Sequence, residues 1–295
     1  EETGTGDMVS ATLPTTPGVL SYPGRVECDD GSDVDSTEPA PDGCVRLFEL
    51  TAQVFKQKIA NFPVSTATVW GYSSPGSVPS SPGPTLVSFA GESVRLSVAN
   101  KLPEATSIHP HGLHQPNAAD GVAGISQIDP VPPGQSFDYP SFVPGHVGTF
   151  AYHAHTNSAV QEMRGLNGMW NVIPREERES VKVDVDVNMT LQIWGFEEEG
   201  ALVAPFGVGA AKSFPFDTIN GKTGDASGEP ITIAEGDRVR MRVYNASQQT
   251  HSMHLHGHDM IVTSKNGHAV PPVRETTQTV NPGDFYELEF TANNP

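Results

Sequence analysis

Apolar and polar residues alternate with a period of two along much of the chain. VRLSV (94–98) and VRMRV (239–243) show the pattern clearly, and each follows a turn made of a glycine and an acidic residue. Such alternation is typical of half-buried β-strands. The 29 glycines and 26 prolines add frequent turns and disfavour long helices. We therefore predict an all-β protein; only TAQVFKQKIANF (51–62) is compatible with either a helix or a strand.

An internal repeat organises the chain. Residues 84–114 match residues 229–259 at a constant offset of 145, which pairs Gly91 with Gly236 and Asn100 with Asn245. This period is too long for a solenoid unit and indicates a domain that was copied once. We predict two antiparallel β-sandwich domains, joined near 175–187 and preceded by a loose acidic arm. The predicted boundaries are 1–45 for the arm, 46–178 for the first domain and 179–295 for the second.

Composition narrows the range of partners. The net charge of −18 disfavours binding to nucleic acid or to anionic membrane surfaces. No run of about 18 apolar residues is present, so we predict no membrane span. The first residues, EETGTGDMVS, lack the basic and apolar regions of a signal peptide, as expected of a mature secreted protein.

Two cysteines, Cys28 and Cys44, flank the acidic loop DDGSDVDSTEPAPDG. A disulfide between them would restrain a segment too polar to fold on its own, and it would imply an oxidising compartment. Two free thiols are the alternative, although neither cysteine has the neighbours of a metal ligand. The aspartates of the loop lack the spacing of a calcium-binding EF-hand, and we interpret them as solvated.

Histidines carry the strongest chemical signal. Chance would produce about 0.4 His-x-His pairs at this histidine content, but the sequence has four: 109/111, 153/155, 254/256 and 256/258. On an extended strand, residues i and i+2 face the same side, so each pair directs two imidazoles to one place. Converging neutral imidazoles suit copper best and zinc second. The isolated His114, His146 and His268 are interpreted as ordinary surface or core residues.

Three segments resemble motifs of the multicopper oxidases, the laccase-type enzymes built from cupredoxin domains. They are HPHGLHQ…DGVAGISQ (109–127), AYHAHTN (151–157) and HSMHLHGH (251–258). The similarity extends through most of residues 84–295 and implies two cupredoxin-like Greek-key β-sandwiches. With two domains, the chain is most similar to the two-domain laccases, which usually form homotrimers.

The resemblance also implies roles for individual residues. Asp120 corresponds to the acidic residue that assists proton delivery to dioxygen, although it could simply be a turn aspartate before Gly121. His258 has no counterpart among the ligands and could support them from outside. The implied copper ligands are His109 and His254 for type 2, His111, His153, His155 and His256 for type 3, and His251 for type 1.

Two departures from the family pattern bear on activity. The fourth motif, which would supply two more type 3 histidines and the type 1 cysteine, is absent, and by the repeat we expect it about six residues beyond Pro295. We therefore expect the chain to be part of a longer protein and, ending here, to be neither blue nor an efficient oxidase. Ala154 stands where a type 1 cysteine of the first domain would be, so we expect a type 1 copper only in the second.

The function implied is one-electron oxidation of phenols, amines or metal ions, coupled to four-electron reduction of O₂ to water at a trinuclear copper cluster. In the two-domain group this cluster forms between neighbouring subunits. A copper nitrite reductase is an alternative of the same fold, which Ala154 disfavours. A non-catalytic copper-binding protein is another. A zinc hydrolase is a weaker third, because no HExxH motif is present.

Overall fold

The computed structural model describes residues 8–10, 21–61, 65–178, 182–195, 216–228 and 230–294. The predicted all-β class is confirmed, since the described helices are one short α-helix, α1 (Ser158–Gln161), and two single 3₁₀ turns, Asn117–Ala119 and Gly224–Ser227. No helix in these ranges is long and apolar enough to cross a membrane. The described strands are β1 (Met8–Ser10), β2 (Ser21–Tyr22), β3 (Arg25–Cys28), β4 (Cys44–Lys58), β5 (Thr66–Ser73), β6 (Thr85–Phe89), β7 (Ser93–Asn100), β8 (Ile108–His111), β9 (Ser136–Asp138), β10 (Gly148–Ala154), β11 (Asn167–Ile173), β12 (Glu176–Arg178), β13 (Val185–Trp194), β14 (Phe216–Ile219), β15 (Arg238–Asn245), β16 (His251–His254), β17 (Met260–Lys265), β18 (His268–Glu275), β19 (Thr277–Val280) and β20 (Phe285–Thr291).

The first half of the chain forms a sandwich of two sheets. One sheet has the strand order β2-β6-β11-β10-β8, and the other has the order β3-β4-β7-β9 with β5 also paired to β4. The segment 51–58, which the sequence left open between helix and strand, belongs to β4. Large apolar side chains such as Phe48, Leu96 and Trp170 fill the space between the sheets. Strand β8 lies at the edge of its sheet beside β10, so the histidines of both strands are neighbours.

The second half repeats this arrangement. Its main sheet has the order β14-β13-β15-β20-β17-β18, and a ribbon of β16 and β19 accompanies it. VRLSV lies in β7, which is parallel to β4 and antiparallel to β9. VRMRV lies in β15, which is parallel to β13 and antiparallel to β20. The repeat read from the sequence therefore corresponds to a repeated pattern of strand pairing.

A buried asparagine at the end of each repeated strand shapes the loop that leads to the histidine strand. The side-chain amide of Asn100 donates to the backbone oxygens of Glu104 and Val131, at 2.9 and 2.8 Å. Asn245 donates in the same way to Gln249 and Val280, at 2.8 and 2.9 Å. Each asparagine satisfies backbone groups that a buried loop would otherwise leave unpaired. These matching bonds direct β8 and β16 away from their repeated strands in the same manner.

The N-terminal segment differs from the loose arm that we predicted. From residue 21 onward it belongs to the first sandwich, because β2 pairs with β6 and β3 pairs with β4. The fully buried Arg46 binds Glu92 at 2.5 Å and donates to the backbone oxygens of Ser36 and Glu38, both at 2.7 Å. The acidic loop is thus ordered by a buried arginine bonding to its backbone, a contact that composition does not reveal. Residues 1–7 and 11–20 lie outside the described residues.

The predicted connection between the domains also has structure of its own. Strand β12 lies within 175–187 and pairs with β1, while residues 179–181 lie outside the described residues. Each half of the chain has its own apolar cluster, around Trp170 and around Val243 respectively. The division at residue 178 stays a prediction, which these separate clusters support.

Cys28 and Cys44 form a disulfide across the β3–β4 pair. Changing both to serine is expected to lower the free energy of unfolding by about 3 kcal/mol, because the bond restricts a loop of this length in the unfolded chain. Urea unfolding of the double variant measures the loss, and reduced wild type should match it. An unchanged midpoint would mean that the Arg46 contacts alone hold the segment.

Candidate metal centre

Four of the six histidines in the first half of the chain (residues 21–178, called the first repeat unit below, with residues 182–294 as the second) converge on one side of the β8–β10 pair. His109 and His111 are two residues apart in β8, so their side chains share a face. His153 lies directly opposite His109 in the antiparallel register, and residues paired in this way also share a face. His155 follows the end of β10, and its ring centroid is 5.1 Å from that of His109. Pairing of two strands thus assembles what the sequence lists as separate motifs.

Three of these imidazoles are close enough to share one ion. One ligand atom each from His109, His111 and His153 lies within 4.8 Å of the other two. His111 Nδ1 and His153 Nε2 are 3.1 Å apart. In a protein, such close nitrogen atoms share a proton or face a common metal ion. The arrangement fits a metal held by nitrogen donors, the chemistry that copper and zinc favour.

Hydrogen bonds to the far side of two rings determine which nitrogen points inward. His109 Nδ1 is 2.7 Å from the backbone oxygen of Asp120, and His153 Nδ1 is 3.0 Å from that of Ala154. A carbonyl oxygen only accepts, so both Nδ1 atoms carry the proton and donate it. The Nε2 atoms are then unprotonated and available to a metal, the usual outer-shell support of histidine ligands.

Burial keeps these rings neutral. It lowers the pKa of His153 to about 3 and that of His111 to about 4, and in both cases neighbouring histidines add to the effect. Burial also lowers the pKa of His109, against the opposing influence of the Asp120 carbonyl and carboxylate. A neutral imidazole is the form that binds metal. The site is therefore ready to bind a cation without first releasing protons near neutral pH.

Asp120 lies beside the histidines and is held by neighbouring side chains. Its Oδ1 accepts a hydrogen bond of 2.6 Å from the Gln115 amide and lies 3.3 Å from His109 Nδ1. Its Oδ2 is 3.3 Å from the Ser126 hydroxyl. The carboxylate is thus oriented next to a candidate ligand, which a simple turn aspartate would not require. Its role in proton delivery stays a prediction.

A second carboxyl group, Glu162, was not found from the sequence. One of its oxygens lies 3.5 Å from His153 Nδ1, and the other is 3.2 Å from the Tyr244 hydroxyl of the second repeat unit. Burial raises the pKa of Glu162 to about 7, although the bond to Tyr244 opposes the shift. It follows the end of α1, and its carboxyl group contacts Tyr244, which is 82 residues away in the sequence. No motif signals it, because only folding brings it to the site.

The candidate ligands His254 and His256 of the second repeat unit lie apart from this cluster. The ring centroids of His254 and His256 are 5.0 Å apart, and both side chains are exposed. His254 Nδ1 is 2.6 Å from the backbone oxygen of Thr276, which again leaves Nε2 available. An open cavity of about 660 Å³ borders His254. His256 lies beyond the end of β16, in a turn rather than in the strand on which we placed it.

His251 and His258 have different surroundings from that pair. His251 precedes His254 by three residues on β16, so it faces the other side of the ribbon, and it borders a separate cavity with Leu191 and Met253. Its Nε2 lies 2.7 Å from the Ser247 hydroxyl. His258 Nε2 accepts a bond from the backbone N–H of Asn293 at 3.2 Å, which suits a supporting role.

Within one chain the two candidate ligand sets do not meet. Ring contacts among the described residues connect His109, His111, His153 and His155 with one another, and they connect His254 with His256, but none joins the two sets. On the side of the second repeat unit, the His111 ring meets Phe285 at 5.5 Å instead. Among the described residues, the two candidate ligand sets are thus separate groups.

Comparisons with known proteins agree with the motifs. The family described as multicopper oxidase matches residues 55–177 and 181–295. Putative laccase-19 of Oryza sativa subsp. indica is 30% identical over 227 residues, which cover 72% of this chain and 38% of that protein. A probable nitrite reductase-hydroxylamine oxidoreductase fusion protein of Kuenenia stuttgartiensis is 29% identical over 225 residues, covering 76% of this chain and 25% of that protein.

A solved structure extends the comparison to the fold. The multicopper oxidase mgLAC superposes with a TM-score of 0.72 at 29% identity, covering 85% of this chain and 77% of that one. The cupredoxin-type all-β architecture predicted from the motifs is thereby confirmed. The chain spans about a quarter to two fifths of the length of the curated relatives just named.

Proposed function

The chain belongs to the multicopper oxidase family, and from this premise we propose that it acts as a laccase-like oxidase. It would couple one-electron oxidation of small reductants, such as phenols, amines or metal ions, to reduction of O₂ to water at a trinuclear copper cluster. The observation that carries the proposal is the group of His109, His111 and His153, whose ligand atoms lie within 4.8 Å of one another.

The donor set fits copper. Imidazole nitrogens without a nearby thiolate suit Cu(II) and, when the metal is reduced, Cu(I). When bound, copper supplies reversible one-electron transfer, and several ions together can collect the electrons that O₂ requires. We assign type 2 ligation to His109 and His254 and type 3 ligation to His111, His153, His155 and His256. His251, in its separate cavity, is assigned to the type 1 site.

The protein itself would position the ligands and handle protons. The backbone oxygens of Asp120, Ala154 and Thr276 hold His109, His153 and His254 in the tautomer that presents Nε2. We propose that Asp120 also relays protons, taking up a proton from water on its carboxylate and passing it on as the carboxylic acid, because Gln115 holds that group beside His109. General acids placed in this way contribute about 10²–10⁴-fold to a rate.

We further propose a homotrimer in which the first unit of one chain meets the second unit of its neighbour. The separation of the two ligand sets within one chain supports this. The exposure of His254 and His256 supports it as well, because ligands left open to solvent in one copy can be covered by another. The Cys28–Cys44 disulfide supports placement outside the cytoplasm, where such bonds persist.

An oxygen-uptake experiment tests the proposed reaction. The copper-loaded full-length protein is expected to oxidise about four equivalents of a one-electron reductant, such as a phenol, for each O₂ consumed. No hydrogen peroxide should accumulate, as judged by adding catalase. A ratio near two with peroxide release would contradict reduction to water. No uptake by a fully copper-loaded protein would instead support a copper-binding role without turnover.

Nitrite reduction is a second candidate, because one relative carries that name. It was disfavoured from the sequence by Ala154, and this residue is fully buried with no thiol in its place. Adding nitrite to the same assay without oxygen distinguishes the two reactions. We expect no oxidation of the reductant under these conditions, and nitric oxide release would favour the alternative.

A further inference from the structure

Three histidines outside the candidate copper site form a second cluster. His114 and His146 belong to the first repeat unit, and His268 begins β18 of the second. The His146 and His268 rings are stacked with centroids 4.5 Å apart. The His114 ring lies 4.9 Å from His146 and 6.1 Å from His268. Our interpretation of these residues as unrelated surface or core histidines did not anticipate this grouping.

Close backbone contact between the two units creates the cluster. A methyl group placed on Gly148 would lie 2.7 Å from the backbone oxygen of Gly267, so the two segments touch through glycines. Gly148 follows His146 by two residues, and Gly267 directly precedes His268. A methyl group on Gly145 would similarly lie 3.3 Å from the His114 ring. Three glycines thus allow histidines from both units to approach one another.

The central ring has an unused nitrogen. His146 Nε2 is buried and has no hydrogen-bond partner among the described residues. A buried polar atom without a partner is unfavourable, and a bound ion is one way to satisfy it. His114 adds a further unusual feature, since its φ of 56° lies in the left-handed region that non-glycine residues rarely adopt.

The charge state of the ring suits a cation. Burial lowers the pKa of His146, and the neighbouring His268 and His114 lower it further. His146 is therefore neutral near pH 7 and has a lone pair to offer. His114 and His268 are exposed, so their rings can turn about their side-chain bonds to direct one nitrogen each to a common ion.

We propose that His114, His146 and His268 bind a divalent transition-metal ion, such as Zn²⁺ or Cu²⁺, across the junction of the two repeat units. Three imidazoles with open coordination positions suit these ions and disfavour Mg²⁺ or Ca²⁺, which prefer oxygen ligands. The site is independent of the proposed oxidase function. A bound ion would join the two units at a point where they otherwise meet through glycine backbone.

Calorimetric titration of Zn²⁺ into the copper-loaded full-length protein tests this site. We expect about one additional ion per chain in the wild type. His146→Gln and His268→Gln are expected to weaken binding by roughly a hundredfold or more, since loss of an outer-shell partner alone costs about 10–100-fold. Zn²⁺ should also raise the melting temperature of the wild type and not of the variants.

Asp259→Asn is the control, because it changes a surface side chain outside both histidine clusters and should keep the additional Zn²⁺ site. Circular dichroism without Zn²⁺ checks that each variant folds. His114→Gln, at an exposed residue, repeats the test if His146→Gln does not fold. Wild-type affinity in the cluster variants would overturn the proposal, as would an equal loss of binding in Asp259→Asn. If the wild type bound Mg²⁺ at this site and not Zn²⁺, the assignment to transition-metal ions would be wrong.

Discussion

An equimolar mixture of His111→Ala and His256→Ala chains, assembled together, is expected to recover about a quarter of wild-type oxygen uptake, while each variant alone has almost none. In a closed ring every site joins the first unit of one chain to the second unit of the next. A site is intact only when a His256→Ala chain contributes the first unit and a His111→Ala chain the second. Random mixing produces that pairing in about one site of four.

A second mixture, of His111→Ala and His153→Ala chains, controls for recovery of oxygen uptake that does not depend on complementary sites. His111→Ala and His153→Ala both damage the first unit, so every site in their mixture contains a damaged half, and no recovery is expected. Oxygen uptake per bound copper, measured after separation of the assembled form by size-exclusion chromatography, provides the comparison. If the first mixture is no more active than its components, the hypothesis that two chains share each site is wrong, whether the protein is a monomer or a ring.

Asp186→Asn is expected to lower the free energy of unfolding by about 3–5 kcal/mol, the usual cost of removing one partner of a buried ion pair. The fully buried Asp186 accepts two hydrogen bonds of 2.8 Å from Arg242, which also donates to Glu287 at 2.7 Å and to Thr149 of the first unit at 2.9 Å. The substitution keeps the shape and removes the charge. It leaves the buried guanidinium of Arg242 with one carboxylate instead of two.

Asp259→Asn is the control for that loss. Asp259 pairs with Arg274 at 3.2 Å on the surface, where the side chains are 42% and 70% exposed, so this change should cost less than about 1 kcal/mol. Urea unfolding followed by tryptophan fluorescence and circular dichroism measures both variants. Equal losses would mean that the buried network around Arg242 adds no more to stability than a surface pair.

Much of the candidate metal site could be predicted because the histidine spacing that indicates it lies within a few consecutive residues of the sequence. A strand directs residues two apart to one side, so the pairs 109/111 and 153/155 already implied converging imidazoles before any fold was known. The repeat at an offset of 145 likewise predicted matching strand patterns, and β7 and β15 have them. The histidine inference depends on strand geometry over a few residues, which any sheet containing these segments would preserve. The repeat inference depends on similar segments forming similar strands.

Other features depended on distant segments meeting. Glu162 reaches Tyr244, and Arg46 reaches the acidic loop and Glu92, with no spacing that marks either contact in advance. The cluster of His114, His146 and His268 was missed for the same reason, since each looks isolated along the chain. Strand alternation and histidine spacing are thus properties of the sequence itself, because the backbone repeats every two residues. Which side chains face one another across the two units was decided only by the tertiary structure, because such contacts depend on how whole sheets pack.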